Sequence, residues 1–112
     1  MAAKIRPPAG LSRAAREWWR TVCEEYDLDP HHLHLLRLAC EALDQATEAR
    51  HELDEHGSIF NDRFGQPKES PWVQIEHRAR NDFRVLCREL GLDAASGEDL
   101  RMRRDITYGK RR

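Results

Sequence analysis

Apolar side chains recur at helical spacing in three stretches of this chain, and a short segment without that spacing separates the second stretch from the third. Ala15, Trp18, Trp19, Val22 and Tyr26 share one side of a first helix, with Arg13, Arg16, Glu17 and Arg20 filling much of the rest. Ser12 is a good N-cap for it, after a Pro7-Pro8-Ala9-Gly10 leader that reads as extended or loop. Asp27-Leu28 is a short break. Asp29-Pro30 then opens a second helix, with aspartate as the cap and proline at the first helical position, where its missing N–H costs nothing. That helix is expected to reach His56 and stop at Gly57, a position that tolerates positive φ. At 1.5 Å per residue it would be about 40 Å long, a large span for so small a chain.

The second helix carries two apolar seams. One is Leu33, Leu36, Cys40 and Leu43; the other is Leu35, Ala39, Ala42, Ala46, Ala49 and Leu53, a coiled-coil-like stripe whose alanines let another helix come close. One seam is expected to face the chain itself and the other a neighbour. Ser70-Pro71 repeats the cap-plus-proline signal, so a third helix should start there. Trp72, Ile75, Ala79, Phe83, Leu86 and Leu90 line one side of it, and Gly91-Leu92 suit a Schellman-type close.

Between these helices lies "HGSIFNDRFGQPKESP", residues 56–71, longer than a plain helix–helix turn of about 2–8 residues. Ser58-Ile59-Phe60 and Gln66-Pro67-Lys68 read as the two strands of a hairpin, with Asn61–Gly65 as its turn. Pro67 lacks a donor and must lie at an edge or a strand end. A lone hairpin is barely stable in water. Ile59, Phe60 and Phe64 therefore either fold back on the chain's own helices or pack against an adjacent subunit, with Trp72 nearby. The second arrangement is the expectation.

Composition sharpens this. Leu, Ile, Val and Phe together are about a fifth of the 112 residues, at the lower edge of what a globular core uses. A monomer so poor in core residues would be marginal, and assembly with copies of itself would help. No apolar run is long enough to span a bilayer. The formal charge of −1 hides a segregation. Lys4, Arg6, Arg13, Arg16 and Arg20 face only Glu17 in residues 1–20, and Arg101, Arg103, Arg104, Lys110, Arg111 and Arg112 face only Asp105 at the other end. The body between is strongly acidic. Basic ends can make phosphate contacts with double-stranded DNA, the C-terminal cluster more strongly because Glu17 and Glu24 offset the arginines of the first helix. The plainer alternatives are a solvated tail and a polar helix face.

Catalytic and metal signals are weak. Cys23, Cys40 and Cys87 form no C-x-x-C pair and sit among apolar neighbours, as buried reduced thiols do. Glu48-Ala49-Arg50-His51 is a single E-x-x-H without the second copy that a di-iron bundle needs. His31, His32 and His34 crowd one helix turn, but adjacent side chains on a helix diverge, so no shared metal is expected. No Gly-rich phosphate loop or nucleophile set is visible, and no cofactor is implied. Trp18 and Trp19 point about 100° apart, which suggests core for one and an interface for the other, assigned here to Trp19; base stacking is the weaker reading.

In this order and spacing, "REWWRTV", "DPHHLHLLRLA", the Gly57 and Gly65 pair, Ser70-Pro71 and Leu90-Gly91-Leu92 resemble the small subunit of the tailed-bacteriophage terminase, over about residues 8–104. That family often has Asn-Pro where this chain has Ser70-Pro71, an equally good cap, and Thr-Pro or Ser-Pro where this chain has Asp93-Ala94. The resemblance implies a non-catalytic packaging factor that forms a ring, binds viral DNA, and recruits the large subunit whose ATPase and nuclease drive packaging in the cytoplasm of the infected host. The expectation is thus a mainly α subunit with a long central helix and a short β-hairpin insertion, assembling as a ring of eight or more copies. It comprises a flexible leader (1–10), a helical domain (11–95, hairpin 57–69) and a basic C-terminal tail (96–112). A small dimeric helical DNA-binding transcriptional regulator is the alternative, and a purely structural assembly protein a third class.

Overall fold

The computed structural model describes residues 5–92. It is mainly helical: α1 (Arg13–Glu25), α2 (Pro30–His56), β1 (Ile59–Asn61), β2 (Pro67–Glu69) and α3 (Pro71–Glu89) follow in chain order. The described body is elongated, 62 × 28 × 21 Å, because α2 runs for 27 residues without a break.

Local chemistry sets each boundary. The Ser12 hydroxyl accepts from the Ala15 N–H at 3.1 Å, capping α1. The same residue donates its own N–H (2.7 Å) and hydroxyl to the Asp44 carboxylate, so the cap also ties α1 to the middle of α2. At the start of α2 the Asp29 N–H donates to His32 Nδ1 at 3.3 Å. Gly57 ends α2 at φ +80°, where a Cβ would be strained. Ser70 caps α3 through the Trp72 N–H. Its far end is a Schellman close: the Leu92 N–H reaches the Cys87 carbonyl (2.7 Å) and the Gly91 N–H that of Arg88 (2.9 Å).

The core has two parts. Leu11, Ala15, Trp19, Val22, Tyr26 and Leu28 close over Leu36 and Cys40 of α2 and over Leu90, with Leu33, Leu35, Leu43 and Leu92 at the margin. The Cys40 thiol donates to the Ala15 carbonyl at 3.6 Å, which places α1 and α2 close together. Along the rest of α2 the alanine stripe is buried within the chain: Ala39 and Ala49 have no exposure, Ala42 and Leu53 little, and Ala79 of α3 none.

Three expectations change as a result. Ala39, Ala42, Ala49 and Leu53 do not face a neighbour, because α3 packs along the same helix and both seams of α2 are used inside the subunit. Leu35 and Ala46 on that stripe are half-buried. Trp19 is the core tryptophan, 3% exposed, with its Nε1–H donated to the Ile5 carbonyl, whereas Trp18 lies half-buried against Phe83 with ring centroids 5.1 Å apart. The strands also begin one residue later than the sequence suggests, pairing Ile59 with Glu69, Phe60 with Lys68 and Asn61 with Pro67. Asp62 is the reason. Its Oδ1 accepts the Phe64 and Gln66 N–H groups, and its N–H donates to the Gln66 carbonyl, so it closes the loop and draws Asn61 into the strand.

Replacing Ala49 by leucine should therefore destabilise the subunit itself by about 1–3 kcal/mol through overpacking. Urea denaturation measures this; a neutral effect would mean that the alanine face is open.

Candidate nucleic-acid and assembly surfaces

The hairpin stands off the far end of α2 with every strand residue exposed. Ile59, Phe60 and Phe64 are 57%, 45% and 76% exposed, the largest bare apolar side chains near one another in the described chain. They do not fold back on the helices. Rigidity comes from the Asp62 loop and from the Ser70 N–H, which donates to the Ser58 carbonyl at 2.8 Å and clamps the base of the finger. Arg63 lies over the Phe64 ring at 5.1 Å, leaving its charge at the tip. Trp72, at the root of the finger on α3, is half-buried.

A charged clamp joins α2 to α3 near that root. The Glu76 carboxylate, only 13% exposed, receives Arg50 across the helix pair at 3.4 Å and Arg80 along α3 at 3.2 Å, while Arg50 also reaches Asp54 at 3.1 Å. Two cations on one sheltered anion fix the pitch of α3 against α2 more firmly than a single exposed pair would.

The arginine stripe of α1 separates into different roles. Arg13 is paired with Glu17 at 3.3 Å, and Arg16 donates to the Leu11 carbonyl at the head of the helix. Arg20 and Arg6 are exposed and have no acidic partner among the described residues. Lys4 and the cluster Arg101, Arg103, Arg104, Lys110, Arg111 and Arg112 lie outside the described residues. Arg80, Arg84 and Arg88 project from α3 away from its apolar side at four-residue spacing, all exposed, as their i, i+4, i+8 repeat in the sequence implies; they were not among the residues expected to meet DNA.

Between α2 and α3, on the side where Gly10 and Leu11 pass, an open groove of about 880 Å³ has an apolar floor and carboxylates along its edges. At the opening of α2, His31 and His32 come together rather than diverge, with ring centroids 4.1 Å apart and the His32 ring held by the Asp29 N–H on its Nδ1. Asp29 joins them so that one ligand atom from each lies within 4.8 Å of the others, the one such group among the described residues. His31 is exposed, whereas Asp29 and His32 are half-buried.

Neither Cys23 nor Cys40 is an activated thiol. Burial pushes Cys23 up to about 11, with Glu24 adding to the effect, and burial pushes Cys40 up to about 12, with Asp44 beside it. No helix among the described residues is long and apolar enough to cross a membrane.

Compared with known proteins, residues 15–105 match the family described as phage terminase, small subunit. No curated protein and no solved structure gives a significant match. The matched span covers α1 from Ala15 onward and all of α2, the hairpin and α3.

Alkylation of Cys40 by iodoacetamide at pH 8 should be about a thousandfold slower in the folded chain than in urea, since only the thiolate reacts. The same shift makes stability pH-dependent. The folded state holds the Cys23 and Cys40 protons more tightly than an unfolded chain with thiols near 9.0 does, so this contribution is whole below that pH and is lost as the pH climbs through about 11 and 12. Equal labelling rates in the two states would contradict the buried assignment.

Proposed function

This chain belongs to the phage terminase small-subunit family, and from that premise we propose that it binds viral double-stranded DNA, assembles into a ring with on the order of eight or more copies, and recruits and regulates the large terminase subunit during genome packaging. It does so without catalysis of its own; the ATPase and nuclease belong to the large subunit. Its place of action is the cytoplasm of the infected host.

The bare hairpin supports the assembly part of this reading. A finger that keeps Ile59, Phe60 and Phe64 in water has a favourable contact still to make, and an identical neighbour along a ring supplies it at every subunit. With α2 occupied by its own α3, the interface is carried by the finger and its root at Trp72 rather than by the alanine stripe. DNA contact is assigned to the C-terminal cluster Arg101, Arg103, Arg104, Lys110, Arg111 and Arg112, with Lys4, Arg6 and Arg20 as the second group and Arg13 and Arg16 contributing field rather than direct contacts. A ring multiplies such weak phosphate contacts through avidity.

Neutralising all six basic residues of 101–112 to glutamine should weaken duplex binding at least tenfold. It should also flatten the dependence of log affinity on log salt by up to about five, as expected for six phosphate contacts. Identical affinity and slope would remove the tail from the interface. Replacing Ile59, Phe60 and Phe64 together by serine should shift the native mass from a high oligomer towards monomer while leaving the helical signal unchanged. A wild-type chain that weighs as a dimer in solution would favour the transcriptional-regulator class instead.

A further inference from the structure

The open groove between α2 and α3 has a chemistry that suits one occupant in particular. Leu38 and Val85 are 43% and 39% exposed on its floor, with Leu86 beside them. Glu41, Glu48 and Asp82 stand on its edges, and no basic side chain lines it. Glu41 is engaged by Arg37 at 3.2 Å, but Glu48 and Asp82 have no cationic partner among the described residues. An apolar floor between uncompensated carboxylates repels DNA and fits a basic segment with apolar side chains spaced along it.

The sequence of this chain contains such a segment. In "LRMRRDITYGKRR", Leu100, Met102, Ile106 and Tyr108 occupy even positions, with Arg101, Arg103, Arg104 and Lys110 interspersed. α3 ends at Glu89, about 6 Å along the helix axis from Val85 at 1.5 Å per residue, and Leu92 follows within its Schellman close. The residues between Leu92 and Leu100 can span about 26 Å when extended, enough to return to the groove. The basic leader is committed elsewhere, since the Ile5 carbonyl is held by Trp19.

We infer that the C-terminal basic segment of this same chain docks in the α2–α3 groove, its apolar side chains on Leu38, Val85 and Leu86 and its cations on Glu48 and Asp82. The consequence is that the most basic part of the molecule is shielded by its own acidic body until a stronger polyanion displaces it. This exchange rests on the assignment of the tail to DNA; the docking does not.

Zero-length carbodiimide crosslinking of the full chain tests it, because Lys110 is the one lysine of residues 93–112. Peptide mass spectrometry on a mixture of ¹⁴N- and ¹⁵N-labelled chains should find Lys110 joined to Glu48 or Asp82 of the same label, and Leu38→Ser/Val85→Ser should lower that yield at least threefold. Both substituted residues are exposed, so the fold tolerates the change. Lys110 links scattered over α1 and the hairpin, links between differently labelled chains, or a yield indifferent to the double substitution would overturn the docking. Excess duplex DNA then separates the two claims: loss of the Lys110 link supports exchange, whereas persistence rejects the tail as the DNA contact and leaves the docking standing.

Discussion

The seating of α3 on the alanine face of α2 is the contact on which the rest of this structure depends. Small side chains at Ala39, Ala42 and Ala49 on α2 and at Ala79 on α3 are all buried, which lets the two helices lie at close range. Because α3 belongs to the same chain, the long helix spends both its apolar seams internally, one on the α1 core and one on α3. Close approach requires each residue on that face to stay small. The clamp of Arg50 and Arg80 on Glu76 then fixes the pair at the hairpin end, while the Schellman close at Leu90-Gly91-Leu92 seals the other.

From that arrangement the hairpin follows. With α2 and α3 locked side by side, the connection between them cannot spread over a core, because the core at that end is already filled by Leu53 and its alanine neighbours. It projects as a finger, held straight by Asp62 and by the bond between Ser70 and Ser58. Its aromatic residues are left in water by geometry and not by lack of affinity for apolar surroundings. The finger leaves Ile59, Phe60 and Phe64 as exposed apolar side chains of a subunit with a modest core.

Charge is distributed to match. Four of the nine arginines of the described helices, Arg13, Arg37, Arg50 and Arg80, are tied to adjacent carboxylates. Arg16 is held by the Leu11 carbonyl, and Arg20, Arg78, Arg84 and Arg88 remain exposed with no carboxylate partner among the described residues. The groove between α2 and α3 is lined by carboxylates, and residues 101–112 carry six cations in the sequence.

Much of this was legible in the sequence. Caps and stops are local: Ser12, Asp29-Pro30, Gly57, Ser70-Pro71 and Gly91 each satisfy or break backbone hydrogen bonds within a few residues, so three helices and a hairpin could be placed from neighbours alone. The basic ends and the apolar finger were equally plain, because charge and hydropathy need no fold to be read. Which surface an apolar seam meets is a different kind of question. The stripe from Leu35 to Leu53 has the same spacing whether its partner is α3 or another copy, and Trp18 and Trp19 differ only by a rotation about α1. The meeting of Ser12 with Asp44, of Arg50 with Glu76, and of His31 with His32 likewise depended on distances that periodicity does not carry. Residue type and spacing determined the elements of this protein and where its charges lie; only the tertiary packing decided which faces remained for anything else to touch, because burial is a property of pairs of surfaces and not of either one alone.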